Sequence, residues 1–461
     1  MTDRKGEGSG RGALATGALL LYALPNLPHS LALLPVINFL PAFYSDDLKL
    51  PLGLVGLMLF LSRLPDILID PVIGIWSDRT RTRIGRRRPF ILAGLPIICV
   101  AVWFAFVPAG APSLAYLFWC LLFIYLGFTI IDLPYSSWGA EMSADYDERS
   151  KISAWRAASG SVGTLLALTI PLILEAIGRP GAREALFWMA LFFVITQPLA
   201  FFVMMARLRE TPPIEIVTGT RRSFREGLLL VARNAAFIRL NVALTLIMTA
   251  MVVGASLNLL VITYVIGAPA AFPVMIFLQN IVALIGIPFW MAVSKRLGKH
   301  IAMSLCGAWI ATCLALSFLW GKGDTIGFTA TIVALGFGIG GLLFLAQAMI
   351  ADITDRDLLD SGEERTATYF AFLGMTTKAA IAVGVLIGTG VPALVGFQPS
   401  DAMHSPSSLL GLKTVYAFAG VPLILVASWL LLAYPLTRDE QARIRGEIEQ
   451  KRRSQEERAR A

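Results

Sequence analysis

The sequence predicts an all-α integral membrane protein: twelve transmembrane helices in two pseudo-symmetric six-helix halves. Three observations carry that expectation. Hydrophobic residues make up 56% of the chain and charged residues 15%, against roughly 25% charged in a soluble domain, so lipid is the solvent for most of it. At about 20 residues per span, a chain of 461 residues holds twelve spans with short loops and no large soluble domain. Polar breaks then divide the apolar sequence six and six.

The first six apolar runs cover 13–44, 52–77, 89–109, 113–138, 153–177 and 186–207; the second six cover 234–266, 271–294, 300–320, 326–350, 366–395 and 410–435. The first run is too long for a cleavable signal peptide, so it is expected to stay and insert. It carries Pro25, Pro28, Pro35 and Pro41 with Asn26, His29 and Ser30 between them. Such a helix is irregular, and irregular backbone at membrane depth is tolerated where it lines a cavity, which makes Asn26 a candidate cargo contact. His29 is read first as a hydrogen-bonded mender of the broken helix and second as a group titrating near neutral pH.

The halves echo each other. Asp78, Arg79, Gly85, Arg86 and Arg87 follow the second run, and Lys295, Arg296, Gly298 and Lys299 follow the eighth. Ala140-Glu141-Met142-Ser143-Ala144-Asp145 ends the fourth run, and Met349-Ile350-Ala351-Asp352-Ile353-Thr354-Asp355 ends the tenth. The repeat predicts an N-terminal half over 1–208, a central loop over 209–232, a C-terminal half over 233–436 and a tail over 437–461. Lys and Arg concentrate in the loops on one side, which the positive-inside rule makes cytoplasmic together with both termini. The net charge of +8 thus orients the helices and is not a sign of nucleic-acid binding. Cys99, Cys120, Cys306 and Cys313 lie in apolar runs and read as packing residues.

Charges inside the spans are the informative exceptions. Asp66 and Asp70 stand four apart and share one helix face. A carboxylate at membrane depth costs roughly 2.5–3.5 kcal/mol, and is retained for a partner or a use. The two make a cage for a hard cation or a proton relay; the alternative is pairing with Arg63. Asp132 in the fourth run has Thr129 one turn before it, and carboxylate and hydroxyl oxygens suit Na⁺ or H⁺ better than a transition metal. Arg156 is read equally as a snorkelling end residue and as a buried charge. Lys378 lies deeper, to balance the carboxylates or bind an anionic group of a cargo. Asp78, Arg79, Arg86, Glu141, Asp145, Asp352 and Asp355 are expected to include ion pairs that close the basic end in one state.

Two other patterns are rejected as sites. Gly336-Phe337-Gly338-Ile339-Gly340-Gly341 matches a dinucleotide fingerprint formally, yet sits in an apolar span where small residues allow close packing. Phosphate-loop, zinc-protease and serine-hydrolase signatures are missing from the sequence, so an enzyme is not expected.

Asp66-(x3)-Asp70-Pro71 with Gly74, Asp78, Arg79, Gly85 and Arg86, together with Phe128 to Pro134, Ala351-Asp352-(x2)-Asp355 and Lys378, resembles the glycoside-pentoside-hexuronide:cation symporters. These form the melibiose-carrier branch of the major facilitator superfamily. The resemblance implies the major facilitator fold, a cation site at Asp66, Asp70, Thr129 and Asp132, and cargo contacts at Ser30, Phe128, Asp132, Ser136, Arg156, Phe344 and Lys378. Sugar carriers hold an aspartate at Ser30, and a tyrosine and two tryptophans at Phe128, Ser136 and Phe344. Loss of that acid weakens the grip on a polyol and favours a partly apolar cargo.

The paired aspartates and the lysine are also similar to those of the animal lysophospholipid carriers, while Gly85 to Phe90 resembles sucrose:proton carriers. The implied activity is secondary symport by alternating access in the cell (inner) membrane. It is coupled to Na⁺ or H⁺, without a further cofactor, in a monomer whose partners are cargo, cation and lipid bilayer. The favoured cargo is an amphiphile such as a lysophospholipid; a glycoside stays open, as does an uncoupled binding or signalling role.

Overall fold

The computed structural model describes residues 16–143, 146–179, 181–210, 231, 233–361, 366–401, 403–435, 440, 443 and 447. Most of the expected central loop and tail therefore lies outside the described residues.

The first span is α1 (Thr16–Ala23) and α2 (Asn26–Asn38), followed by α3 (Leu52–Arg79), α4 (Arg88–Phe106), α5 (Leu114–Glu141), α6 (Tyr146–Ala176) and α7 (Ala182–Arg207). The second set is α8 (Ala235–Leu260), α9 (Phe272–Leu297), α10 (Lys299–Ser317), α11 (Thr325–Ser361) and α12 (Thr366–Leu394), then α13 (Pro406–Phe418) and α14 (Val421–Leu432) as one broken span. Among the described residues, 11 helical segments are long and apolar enough to cross a membrane. The twelfth span is α3, whose 28 residues reach about 42 Å at 1.5 Å per residue, longer than a bilayer core of about 30 Å.

Packing repeats from half to half. α2 lies against α6 and α7 as α8 lies against α12 and α14; α3 pairs with α5 as α9 with α11; α4 contacts α5 and α7 as α10 contacts α11 and α14. The halves meet along α3 with α12 and α6 with α9. Large apolar side chains such as Trp119, Ile195, Phe202, Ile285 and Phe289 are exposed on the outside, the arrangement expected where lipid replaces water.

Three departures from the apolar runs have local causes. The chain turns at Leu24 and Pro25 between α1 and α2, then continues past Asn38 through a short turn and a π-helical turn at Phe43–Asp47. The proline remove backbone donors there, as prolines within helices do. α11 runs on to Ser361, beyond the apolar run, because charge stops membrane burial without stopping a helix. The last span breaks before Val421, with proline in its first turn.

Glycine sets how closely α9 and α11 approach. A methyl group on Gly336 would come 2.2 Å from the Gln279 carbonyl oxygen, one on Gly340 1.8 Å from that of Ala283, and one on Gly286 2.6 Å from that of Phe337. The glycine-rich run is a packing seam, with the two backbones in contact.

At the end away from the basic loops the halves are closed. Leu52 N donates to Gln398 Oε1 at 3.1 Å, and the Phe39 and Phe272 rings meet edge to face at 5.3 Å. A methyl on Gly56 would lie 1.6 Å from Thr389 Oγ1, so only glycine fits between these helices.

Candidate functional site

Asp66 and Asp70 project from one face of α3 toward Thr129 of α5, as their four-residue spacing requires. Thr129 Oγ1 is 2.5 Å from Asp66 Oδ1 and 3.0 Å from Asp70 Oδ1, so its single hydrogen serves one carboxylate at a time. Lys378 of α12 reaches across from the other half. Its ammonium lies 3.0 Å from Asp66 Oδ1, 2.7 Å from Asp70 Oδ1 and 3.3 Å from Thr129 Oγ1. It stands among the oxygens that would hold a metal cation or a proton.

Asp66, 3% exposed, has a second basic neighbour. Arg63 Nε is 3.7 Å from its Oδ2, and the Arg63 guanidinium lies over the Tyr125 ring at 4.2 Å, a cation–π contact. Two carboxylates face two cations, so this cluster is neutral when all four are charged. Desolvating an unpaired charge here would cost several kcal/mol, which is why the charges gather.

Asp132 takes different partners. Arg156 of α6 donates to its Oδ1, and His29 Nε2 lies 3.5 Å from the same oxygen. The guanidinium sits 4.8 Å from the centre of the Tyr135 ring. Asp132 therefore does not join Asp66, Asp70 and Thr129 in one ligand set in this conformation; the four expected cation ligands separate into two clusters. The reason is stoichiometric: each acid sits with the basic side chain nearest its own helix face. The Asp132 side chain is 39% exposed, unlike that of Asp66.

The expected cargo contacts gather chiefly around this second cluster. Asn26 Nδ2 donates to the Arg156 carbonyl at 2.8 Å, and Ser30 Oγ donates to the Asn26 carbonyl at 3.0 Å. Gly160 makes room for both, since a methyl there would meet Asn26 Nδ2 at 2.6 Å and Ser30 Oγ at 2.9 Å. Phe128 stands edge-on to His29 at 4.4 Å. Ser136 donates to the Asp132 carbonyl one turn back. Phe344 stands apart, half-buried against the apolar core of the C-terminal half.

At the basic end, Glu141 accepts from Arg86 at 2.7 Å and Arg87 at 2.6 Å, and Lys299 pairs with Asp352 at 2.5 Å. Each pair ties helices of one half, and between described residues no ion pair at this end crosses to the other half. These pairs brace each half internally in this conformation. The side chains of Asp78, Arg79, Asp145 and Asp355 lie outside the described residues.

Some participants escaped the sequence reading. Tyr22 donates to the Tyr135 carbonyl at 3.1 Å, and Tyr135 returns a bond to the Tyr22 carbonyl. Gln197 Nε2 is 3.5 Å from His29 Nδ1. Glu210 accepts the backbone N–H groups of Arg86, Arg87 and Arg88 at 2.6–3.1 Å, capping α4 from the start of the central loop. A buried tyrosine or glutamine in an apolar run signals a polar partner, but spacing alone does not name it.

The sequence profile of the family described as MFS/sugar transport protein matches residues 21–438. The chain belongs to this family of membrane transporters. It is therefore no enzyme of the membrane but a carrier, with the major facilitator fold.

The glucuronide carrier protein homolog of Escherichia coli (strain K12) is 25% identical over 446 residues, covering 94% of this chain and 96% of the relative. The sodium-dependent lysophosphatidylcholine symporter 1 of Xenopus tropicalis is 22% identical over 474 residues, covering 94% and 90%. Among solved structures, a bacterial homolog of the human lysosomal transporter Spinster, inward-facing and occupied, superposes with a TM-score of 0.68 at 13% identity. That match covers 94% of this chain and 99% of the other. The nucleoside transporter NupG gives 0.63 at 14% identity, covering 90% and 98%. The last two bear on the fold alone.

Proposed function

We propose that the chain is a cation-coupled symporter that moves an organic solute by alternating access. One observation carries the reading: Lys378, on one half, occupies the space between Asp66 and Asp70, on the other. When Na⁺ or H⁺ binds those carboxylates, their charge is answered without the lysine, which is released toward Asp132 and Arg156 to receive an anionic group of the cargo. Carriers with neither ligand or with both are charge-compensated and reorient; a carrier with one is not. The names of the relatives, a glucuronide carrier homolog and a sodium-dependent lysophosphatidylcholine symporter, support coupling and a cargo that bears an anionic group.

In this reading residues 1–208 and 233–436 form the rocking halves, 209–232 links them and 437–461 is a tail. The basic end faces the cytoplasm of a cell (inner) membrane, and closure at the opposite end makes this conformation inward-facing. The carrier acts as a monomer.

The favoured cargo is an amphiphile of the lysophospholipid type. Ser30 offers no carboxylate to a sugar, and its hydroxyl is already engaged by Asn26. A glycoside is the second reading, favoured by a cavity lined with amide side chains between α2, α8 and α9.

Uptake into proteoliposomes of labelled lysophosphatidylcholine and of a labelled disaccharide, with and without an inward Na⁺ or H⁺ gradient, tests the proposal. Gradient-dependent lysolipid uptake, lost in Asp66→Asn, is expected. Accumulation that survives Asp66→Asn unchanged would sink the coupling assignment, and gradient-driven uptake of the disaccharide alone would reverse the choice of cargo.

A further inference from the structure

A cavity with four amide side chains in its wall lies outside both charged clusters. It has a volume of about 190 Å³ and lies between α2, at Asn38, and the second half, at Met251, Asn258, Gln279, Asn280 and Tyr416. Asn38 is two turns beyond Ser30 on α2, so the cavity lies on the closed-end side of the second charged cluster. Both halves contribute to its wall.

The wall is amide-rich and uncharged. Asn258 is 6% exposed, its Oδ1 accepts from the Tyr416 hydroxyl at 2.5 Å, and its NH₂ group has no hydrogen-bond partner among the described residues. That nitrogen is not one of the sealed polar atoms without a partner; it keeps contact with open space, where a ligand or water can take its hydrogens. Asn38 Nδ2 donates to the Leu34 carbonyl at 3.2 Å and Asn280 Nδ2 to the Ile276 carbonyl at 2.9 Å, and neither side-chain oxygen has a hydrogen-bond partner among the described residues. All three residues line the same small space.

We propose that this cavity is a subsite for the uncharged, hydroxyl-bearing part of the cargo. A hydroxyl both donates and accepts, so it matches a wall holding one free amide donor and two free amide oxygens. A charged group would lie there without a counter-ion, since no lining side chain other than the Tyr416 phenol ionises. The volume suits a single sugar ring or a glycerol unit with water. The assignment rests on the transporter reading above, and it divides recognition into a charged end at Lys378 and Arg156 and a neutral end at Asn258.

The test is equilibrium binding, with no ion gradient, to the full chain in nanodiscs. The probes are methyl β-D-glucopyranoside and 2-methoxytetrahydropyran, the same ring without its hydroxyls. Wild type is expected to bind the glucoside saturably and to prefer it over the bare ring. Asn258→Leu should weaken glucoside binding by about tenfold, and Tyr416→Phe, which frees the Asn258 amide from its anchor, by about threefold, on the scale of one lost buried hydrogen bond.

Asn280→Ala serves should Asn258→Leu fail to fold; it removes an acceptor while leaving the Asn258–Tyr416 bond in place. Equal binding of the two probes by wild type, no saturable glucoside binding, or glucoside binding unchanged in the folded variants would overturn the proposal. Failure of the symport reading would show separately, as uptake indifferent to Asp66→Asn.

Discussion

The two charged clusters hold the same kinds of groups but differ in what they join. Asp66, Asp70 and Thr129 meet a lysine from the opposite half, whereas Asp132 meets Arg156 and His29 from its own half. A bond between halves is strained or broken when the halves rock; a bond inside a half travels with it. In the proposed function the first cluster therefore senses a cation and reports it as motion, while the second holds its geometry and presents a fixed surface to cargo. Composition alone does not distinguish a moving charge from a standing one.

The largest expected effect separates them directly. Lys378→Met leaves two adjacent carboxylates short of a counter-charge and should destabilise the protein by about 3–5 kcal/mol in choline chloride. Sodium, or acid if the coupling ion is a proton, should restore most of the loss, because either replaces the ammonium. Arg156→Met should cost a similar amount, with no recovery in sodium. Melting curves of both variants in the two salts and at two pH values check this; equal rescue of both would erase the distinction.

Gly56→Ala should act on motion more than on stability. The added methyl meets Thr389 across the closed end, so spin labels on the outer ends of α3 and α12 should move apart, and Thr389→Ala in the same chain should partly reverse the shift. Unchanged distances would mean that the seam yields.

Tyr135→Phe removes one hydrogen bond within the second cluster and should cost about 1 kcal/mol without altering cation dependence. Glu210→Ala should cost about 1 kcal/mol as a lost helix cap, read as a lower melting temperature with the ion response intact.

The span count and the special residues were legible because lipid penalises charge: Asp66, Asp70, Asp132 and Lys378 each stand out against an apolar background. The break in the first span was legible from Pro25. Partner choice was not. The spacing of Asp66 and Asp70 puts both on one face but says nothing of which helix that face meets, so Asp132 was grouped with them when it sits with Arg156. Spacing does not name the bases at the basic end either, where Glu141 meets Arg86 and Arg87, and Asp352 meets Lys299. The amide cavity left no mark at all, since Asn38, Asn258 and Gln279 come from three distant parts of the chain.

The seam between α9 and α11 bears on how force passes through the carrier. Where Gly336 and Gly340 rest against the carbonyls of Gln279 and Ala283, no flexible side-chain layer lies between the two backbones. Sliding one helix past the other would drive main chain into main chain, so the pair behaves as a single stiff beam. A load applied where α6 meets α9 is then passed on to α11, and bending falls elsewhere, in the proline-broken first span and in the divided last span of the second half.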